Sequence, residues 1–150
     1  MILKNTNKIL LIIQRSNGDV LLSLSLIKAL FENFNQPQID ILVNDDTILV
    51  AKIMPFINHI YTFSYIKKQS SRFKQEQNLI ASIFRKYDLS INLTSSDRSV
   101  VYALLASKKS ISAVEKIKYK SWWKILLLKY YYYFDASQHI LINNLKPLNL

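Results

Sequence analysis

Residues Lys8 to Ile13 read KILLII, an apolar run of strand length with no polar alternation inside it. Such a strand offers neither face to water, so it belongs in a sheet covered on both sides, the environment of parallel strands. The pattern then changes period. Val20, Leu24, Ile27, Phe31 and Phe34 recur at steps of four, three, four and three, the stripe of one helix, which Pro37 stops near Asn35. IDILV at 39–43 reads as a second strand, and a strand–helix–strand connection implies a right-handed parallel βαβ unit.

The alternation continues. Residues 45–54 predict a helix ended by Pro55, HIYTF at 59–63 a third strand, and residues 65–74 a polar, lysine-rich loop. An amphipathic helix is expected at 75–86 with Leu79, Ile80 and Ile83 inward. A fourth strand (DLSINL, 88–93), a helix at 98–106 and a short strand at 110–113 follow. The expected class is therefore α/β, a Rossmann-like doubly wound parallel sheet. Beyond Val114 the pattern is less regular: KYKSWWKILLLKYYYYF, then Asp135-Ala-Ser-Gln-His entering a last helix. At 150 residues the chain is one domain, and Leu150 ends it with no cap or charged tail, which reads as a cut end.

Composition narrows the functions. There is one glycine, where average usage of about 7% would give roughly ten, so neither G-x-G-x-x-G nor a Walker A loop is present. With no cysteine, disulfide frameworks, zinc knuckles and cysteine nucleophiles are excluded. Lysines interrupt every apolar run short of the ~20 residues that span a bilayer, and the N-terminus carries no signal-peptide pattern. The expected location is cytoplasmic. The net charge is +10, and residues 64–129 hold 14 Lys/Arg against four Asp/Glu, so that segment carries all of it. An anionic partner met by one region is one explanation and simple lysine enrichment is another.

Ligands of open α/β sheets bind beyond the carboxyl ends of the strands, and R-S-N-G-D at 15–19 occupies that edge. Gly18 is suited to an unusual backbone conformation or to close approach of a ligand. Asp19 falls at or next to the N-cap, its carboxylate at the positive end of the helix dipole, an arrangement that favours the ionised form. An ordinary capped turn accounts for the same residues.

The order K-I-L-L-I-I-x-x-S-x-G-D-V-L-L-S, IDILVN, PFINHIYTF and YDLSINLTSSDRS resembles the first half of glycosyltransferase family 9, the heptosyltransferases of lipopolysaccharide core synthesis in Gram-negative bacteria. The resemblance runs from Lys8 to at least Ser99. It implies the N-terminal, acceptor-binding Rossmann-like domain of a two-domain GT-B enzyme, with the C-terminal donor-binding domain absent from these residues. The implied reaction is inverting transfer of heptose from ADP-heptose to a phosphorylated lipopolysaccharide core or lipid A acceptor. The enzyme would lie against the cytoplasmic face of the inner membrane, with no nucleic acid, resident cofactor or metal.

By the same resemblance Asp19 is the general base, and Ser16, Asn17 and Gly18 touch donor phosphate or acceptor. Lys67, Lys68, Arg72 and Lys74, in the loop after the third strand, and Arg98, after the fourth, meet acceptor anions. For these basic groups a solvated loop, and for Arg98 a salt bridge to Asp97, are the plain alternatives. Asp45-Asp46 reads as ordinary helix-start acids, His59 as structural and His139 as a helix-start residue near the cleft. Trp122, Trp123 and 130–134, interleaved with Lys120, Lys124 and Lys129, suit either a core or a membrane surface. The competing function is a non-catalytic basic module for nucleic acid or anionic lipid.

Overall fold

The computed structural model describes residues 6–65 and 72–150. Among them, six strands form one parallel sheet: β1 (Lys8–Ile13), β2 (Gln38–Asn44), β3 (Ile57–Phe63), β4 (Leu89–Asn92), β5 (Ser110–Val114) and β6 (Tyr130–Tyr133). Their spatial order is β3-β2-β1-β4-β5-β6, with every pairing parallel. Helices α1 (Asn17–Leu22) and α2 (Leu24–Asn33) connect β1 to β2, and α3 (Ile48–Ile53) connects β2 to β3. Then α4 (Arg72–Ile83) precedes β4, α5 (Asp97–Ala106) leads to β5, α6 (Lys118–Leu127) leads to β6, and α7 (Ile140–Leu145) follows it.

The period-two geometry of β1 divides the core. Ile9, Leu11 and Ile13 pack with Val20, Leu26, Ile27 and Leu30 of α1 and α2 and with Ala51 of α3. Leu10 and Ile12 point the other way, onto Leu79 and Ile83 of α4 and onto Tyr102, Ala103 and Ala106 of α5. A third cluster of Val100, Val114 and Leu128, with Trp123 and Tyr131 against it, seats α6 beside α5. The sheet is thus covered on both faces, as an uninterrupted KILLII requires, and each fully buried Ile or Leu contributes about 1.5–3 kcal/mol. The α/β doubly wound expectation agrees with the observed sheet.

Several boundaries differ for local reasons. The first helix starts at Asn17 and is interrupted at Ser23, whose buried hydroxyl donates to Val20 O at 2.6 Å and closes the first segment. Residues 45–54 divide into a 3-10 turn at Asp45–Thr47 and α3. β3 begins at Ile57, so His59 lies inside the strand, its ring 4.5 Å from that of Tyr61. The expected 75–86 helix is shifted: α4 begins at Arg72 and ends at Ile83, because Arg85 takes a left-handed φ of 52°. The region after Val114 is regular. It supplies α6 and a sixth strand, with Ile111–Val114 paired to Tyr130–Tyr133.

One buried carboxyl group lies on β2, far from the strands' carboxyl ends. Asp40 accepts from the Tyr87 hydroxyl at 2.6 Å and from Asn58 Nδ2 at 3.1 Å. Burial, reinforced by the bond to Asp40, pushes the Tyr87 phenol well above its ordinary range. These groups satisfy one another, so the network is a fastening between β2, β3 and the α4–β4 turn.

Candidate functional site

The sheet grows outward in opposite directions from β1 and β4, and the crevice outside their carboxyl ends is where this architecture takes ligands. The two strands are tied there. Gln14 N donates to Thr94 Oγ1 at 2.9 Å and Leu93 N to Ile12 O at 2.9 Å. The fully buried Asn92 carboxamide holds the next loop, donating to Thr94 O, Ser99 Oγ and Ser112 Oγ and accepting from Thr94 N. This buried network leaves the edge of the site rigid.

Asp19 stands in the first turn of α1. The N-cap is Ser16, whose Oγ accepts from Asp19 N at 3.4 Å, so Asp19 is the third helical residue rather than the cap or its neighbour. Its carboxylate nevertheless lies at the positive end of the helix, about a quarter exposed, 4.0 Å from Arg15 Nη1. The Arg15 guanidinium is itself stacked 4.2 Å over the Phe134 ring, which fixes its position. Sequence reasoning passed over Arg15, although its i,i+4 spacing to Asp19 was the available signal.

Gly18 requires a correction. Its φ is not positive, so no unusual backbone conformation explains it. A Cβ there would meet nothing within 4 Å. What remains is an exposed stretch of backbone in the first helical turn, beside exposed Ser16 and Asn17, that a ligand can approach closely. Gly18→Ala is expected to raise folding stability by about 0.5–1 kcal/mol, since glycine is the costlier residue in a helix. The same change should weaken ligand binding at this edge. Equilibrium denaturation and titration of the acceptor check the pair of outcomes, and unweakened binding would leave Gly18 without a role.

The basic candidates separate. Lys67 and Lys68 lie outside the described residues. Arg72 and Lys74 are not in a loop but in the first turn of α4, both exposed, with Arg72 Nε 3.5 Å from Glu76 Oε1. Lys74 borders an open hollow of about 370 Å³ between β3 and α4, with Tyr61, Gln75 and Asn78. Arg98 does not pair with Asp97. Its Nε is 3.3 Å from Glu76 Oε1, and its guanidinium stacks 4.4 Å over Phe63 and 5.5 Å from Tyr65. The reason is placement: Arg98 faces α4 from α5, while Asp97 turns to Lys124.

Arg98 also belongs to a group the sequence did not reveal. Asn44 and Phe63 end β2 and β3 on the α4–α5 face and Gln14 directly follows β1 there, because they continue the alternation of Ile12, Leu42 and Tyr61. Among the described residues, Gln14 Nε2 and Oε1, Asn44 Oδ1 and Arg98 Nη1 are buried polar atoms without a hydrogen-bond partner. Unpaired buried polar atoms cost about 1–3 kcal/mol each, so their concentration beside the ligand edge is a departure from ordinary packing.

The remaining residues have structural work. Asp45 and Asp46 start the 3-10 turn, and His139 is the N-cap of α7, its Nδ1 accepting from Leu141 N at 3.2 Å. The two alternatives for this segment divide by residue: Trp122 is exposed and Trp123 half-buried, whereas Lys124 is wholly buried. In 130–134 the strand β6 carries the tyrosines, with Tyr132 buried and Tyr130 and Phe134 packed on the main core.

Fold and edge together define a Rossmann-like domain with a part-exposed carboxylate in its first helix, beside the β1/β4 switch point. Comparison with known proteins gives that class particular relatives. Lipopolysaccharide heptosyltransferase 3 of Escherichia coli strain K12 is 32% identical over 117 residues, covering 73% of this chain and 33% of that protein. The glycosyl transferase family 9 structure from Veillonella parvula DSM 2008 superposes with a TM-score of 0.80 at 16% identity, over 99% of this chain and 42% of that one. E. coli heptosyltransferase WaaC, solved with ADP-2-deoxy-2-fluoro heptose, gives 0.75 at 13% identity, over 91% and 45%. No family model matches the chain. The chain is thus similar in sequence to lipopolysaccharide heptosyltransferase 3 of Escherichia coli and shares the Rossmann-like fold of the glycosyltransferase family 9 structure and of WaaC. It spans about a third of the length of the curated relatives it matches.

Proposed function

We propose that this chain is the acceptor-binding half of an inverting heptosyltransferase of lipopolysaccharide core synthesis, working with a donor-binding domain outside these residues. The observation that carries the reading is the placement of Asp19. It is a part-exposed carboxylate at a helix start, on the carboxyl edge beside the β1/β4 switch point, in a chain related to heptosyltransferases. Asp19 takes the proton of an acceptor hydroxyl as that oxygen bonds to the anomeric carbon of ADP-heptose. The bond from that carbon to the diphosphate breaks on the opposite side, and ADP leaves with its electron pair.

The other residues bind and orient. Backbone amides at Ser16, Asn17 and Gly18 approach the donor phosphate or the acceptor, and Arg15 holds the Asp19 carboxylate in place. Lys67, Lys68, Arg72, Lys74 and Arg98 form the basic side toward acceptor phosphates, with guanidinium groups suited to bidentate contact. The enzyme works at the cytoplasmic face of the inner membrane as a peripheral protein. No helix among the described residues is long and apolar enough to cross a membrane.

Calorimetric titration of the chain with a heptose-free core oligosaccharide, with ADP-heptose and with duplex DNA tests the reading. The expected result is binding of the oligosaccharide and little binding of the other two. Salt-sensitive DNA binding with none of the oligosaccharide would overturn it in favour of a basic binding module.

A further inference from the structure

Helix α6 presents an apolar stripe to water. Tyr119, Trp122 and Leu126, spaced three and four apart on one face, are 74%, 64% and 76% exposed, and Leu127 beside them is 59% exposed. Monomeric surfaces carry scattered apolar residues, but a contiguous stripe of two aromatic rings and two leucines on one ten-residue helix marks a contact surface. The opposite side of the helix is already occupied. Trp123 packs on the Val100–Val114–Leu128 cluster, and buried Lys124 bonds to Ser95 O, Asp97 and Glu115, so α6 cannot turn its stripe inward.

Cations accompany the rings. Lys120 Nζ is 6.0 Å from the Tyr119 ring and Lys129 Nζ 5.5 Å from the Tyr130 ring, and both lysines are exposed. The acids near this helix are Asp97 and Glu115, and both are engaged by Lys124. With Lys120, Lys124 and Lys129 set against these two carboxylates, the net charge around the stripe is positive. Lysine is depleted at protein–protein interfaces, whereas aromatic rings with flanking lysines are what a helix lying in a bilayer surface displays. Attraction of each lysine to an anionic surface adds to burial of the apolar stripe.

We propose that α6 is the membrane-docking element of this protein, lying in the plane of an anionic lipid surface with Tyr119, Trp122, Leu126 and Leu127 inserted and Lys120 and Lys129 at the headgroups. This deepens the proposed peripheral location and rests on it, but its test reads lipid binding apart from sugar transfer. The helix starts just after β5, next to the ligand edge, so docking through it would hold the Asp19 crevice close to a lipid-linked acceptor.

The chain is mixed with vesicles of phosphatidylcholine alone and with vesicles also containing phosphatidylglycerol, and co-sedimentation and tryptophan emission are followed. Expected are binding to the anionic vesicles, a shift of emission to shorter wavelength, and loss of most of that shift in Trp122→Phe but not in Trp123→Phe. Trp122→Ser with Leu126→Ser should weaken vesicle binding by about tenfold or more, and Lys120→Glu with Lys129→Glu should abolish the preference for anionic lipid. All four positions of these variants are exposed, so unchanged circular dichroism is expected. Absence of vesicle binding, equal binding by the serine variant, or a concentration-dependent dimer lost in the serine variant would each overturn the proposal. The last outcome would make the stripe a contact between two copies. In a polypeptide joining this chain to its donor-binding domain, transfer to a soluble acceptor that survives the two serine substitutions separates this inference from the assignment of Asp19.

Discussion

Asp19→Asn, in a polypeptide joining this chain to its donor-binding domain, is expected to lower kcat for heptose transfer by about 10²–10⁴-fold, with acceptor KM within a few-fold of its starting value. The side chains are nearly the same size, Ser16 still caps the helix, and the Asp19 N to Ser16 Oγ bond involves only Asp19's backbone. What is removed is the proton acceptor and the charge facing Arg15. The ion pair, at 4.0 Å and partly exposed, contributes about 1 kcal/mol or less, so folding should be little changed. Rate measurements under saturating donor, with a thermal melt of each protein, check the split. A variant retaining full kcat would remove Asp19 from the chemistry, and the resemblance in fold would then have to be explained by binding alone.

The sequence exposed much of this architecture because its apolar runs are uncompromised. KILLII can only be a strand with both faces covered, and the strand β1 has the predicted bounds, Lys8–Ile13. β6 escaped because four tyrosines among lysines have no period: the chain buries Tyr132 and leaves Tyr133 largely exposed, a pattern set by its position at the sheet's edge. The helix from Val20 was predicted as one piece because its stripe runs through the break at Ser23, where a single hydroxyl bonding to Val20 O closes the first segment. The position of Asp19 at the carboxyl edge was legible because motif and sheet edge coincide in sequence. The row of Gln14, Asn44 and Arg98 was not, since those positions meet only when β1, β2 and α5 are brought together from 84 residues of chain separation.

Lys124 is the clearest case of a residue whose role the sequence disguised, and removing it should have the largest effect on stability. A lysine in WWKILLL reads as a surface charge, yet its side chain is 1% exposed. Its Nζ lies 2.6 Å from Ser95 O, 2.8 Å from Asp97 Oδ1 and 3.3 Å from Glu115 Oε2. These partners come from the loop after β4, the first turn of α5 and the end of β5, so one ammonium joins three segments at the ligand edge. Lys124→Ala is expected to cost about 2–4 kcal/mol, from the cavity and from two carboxylates left together without their cation. For a chain of this size that corresponds to a melting temperature lower by roughly 5–15 °C. Asp97 is 74% exposed and Glu115 35%, so water can take over part of their solvation, which holds the cost at the lower end for a broken buried pair. Lys124→Met keeps the stem that packs in the α6 seat and loses only the ammonium, so it should recover half or more of the loss if packing dominates. Equal loss in both variants would assign the effect to the charge network, and an unchanged melting temperature in Lys124→Ala would mean that α6 is held by the Trp123 cluster alone. Because Ser95 follows Thr94, which anchors Gln14 N, the alanine variant should also loosen the crevice, read as faster amide exchange at 93–96 with β2 and β3 unaffected.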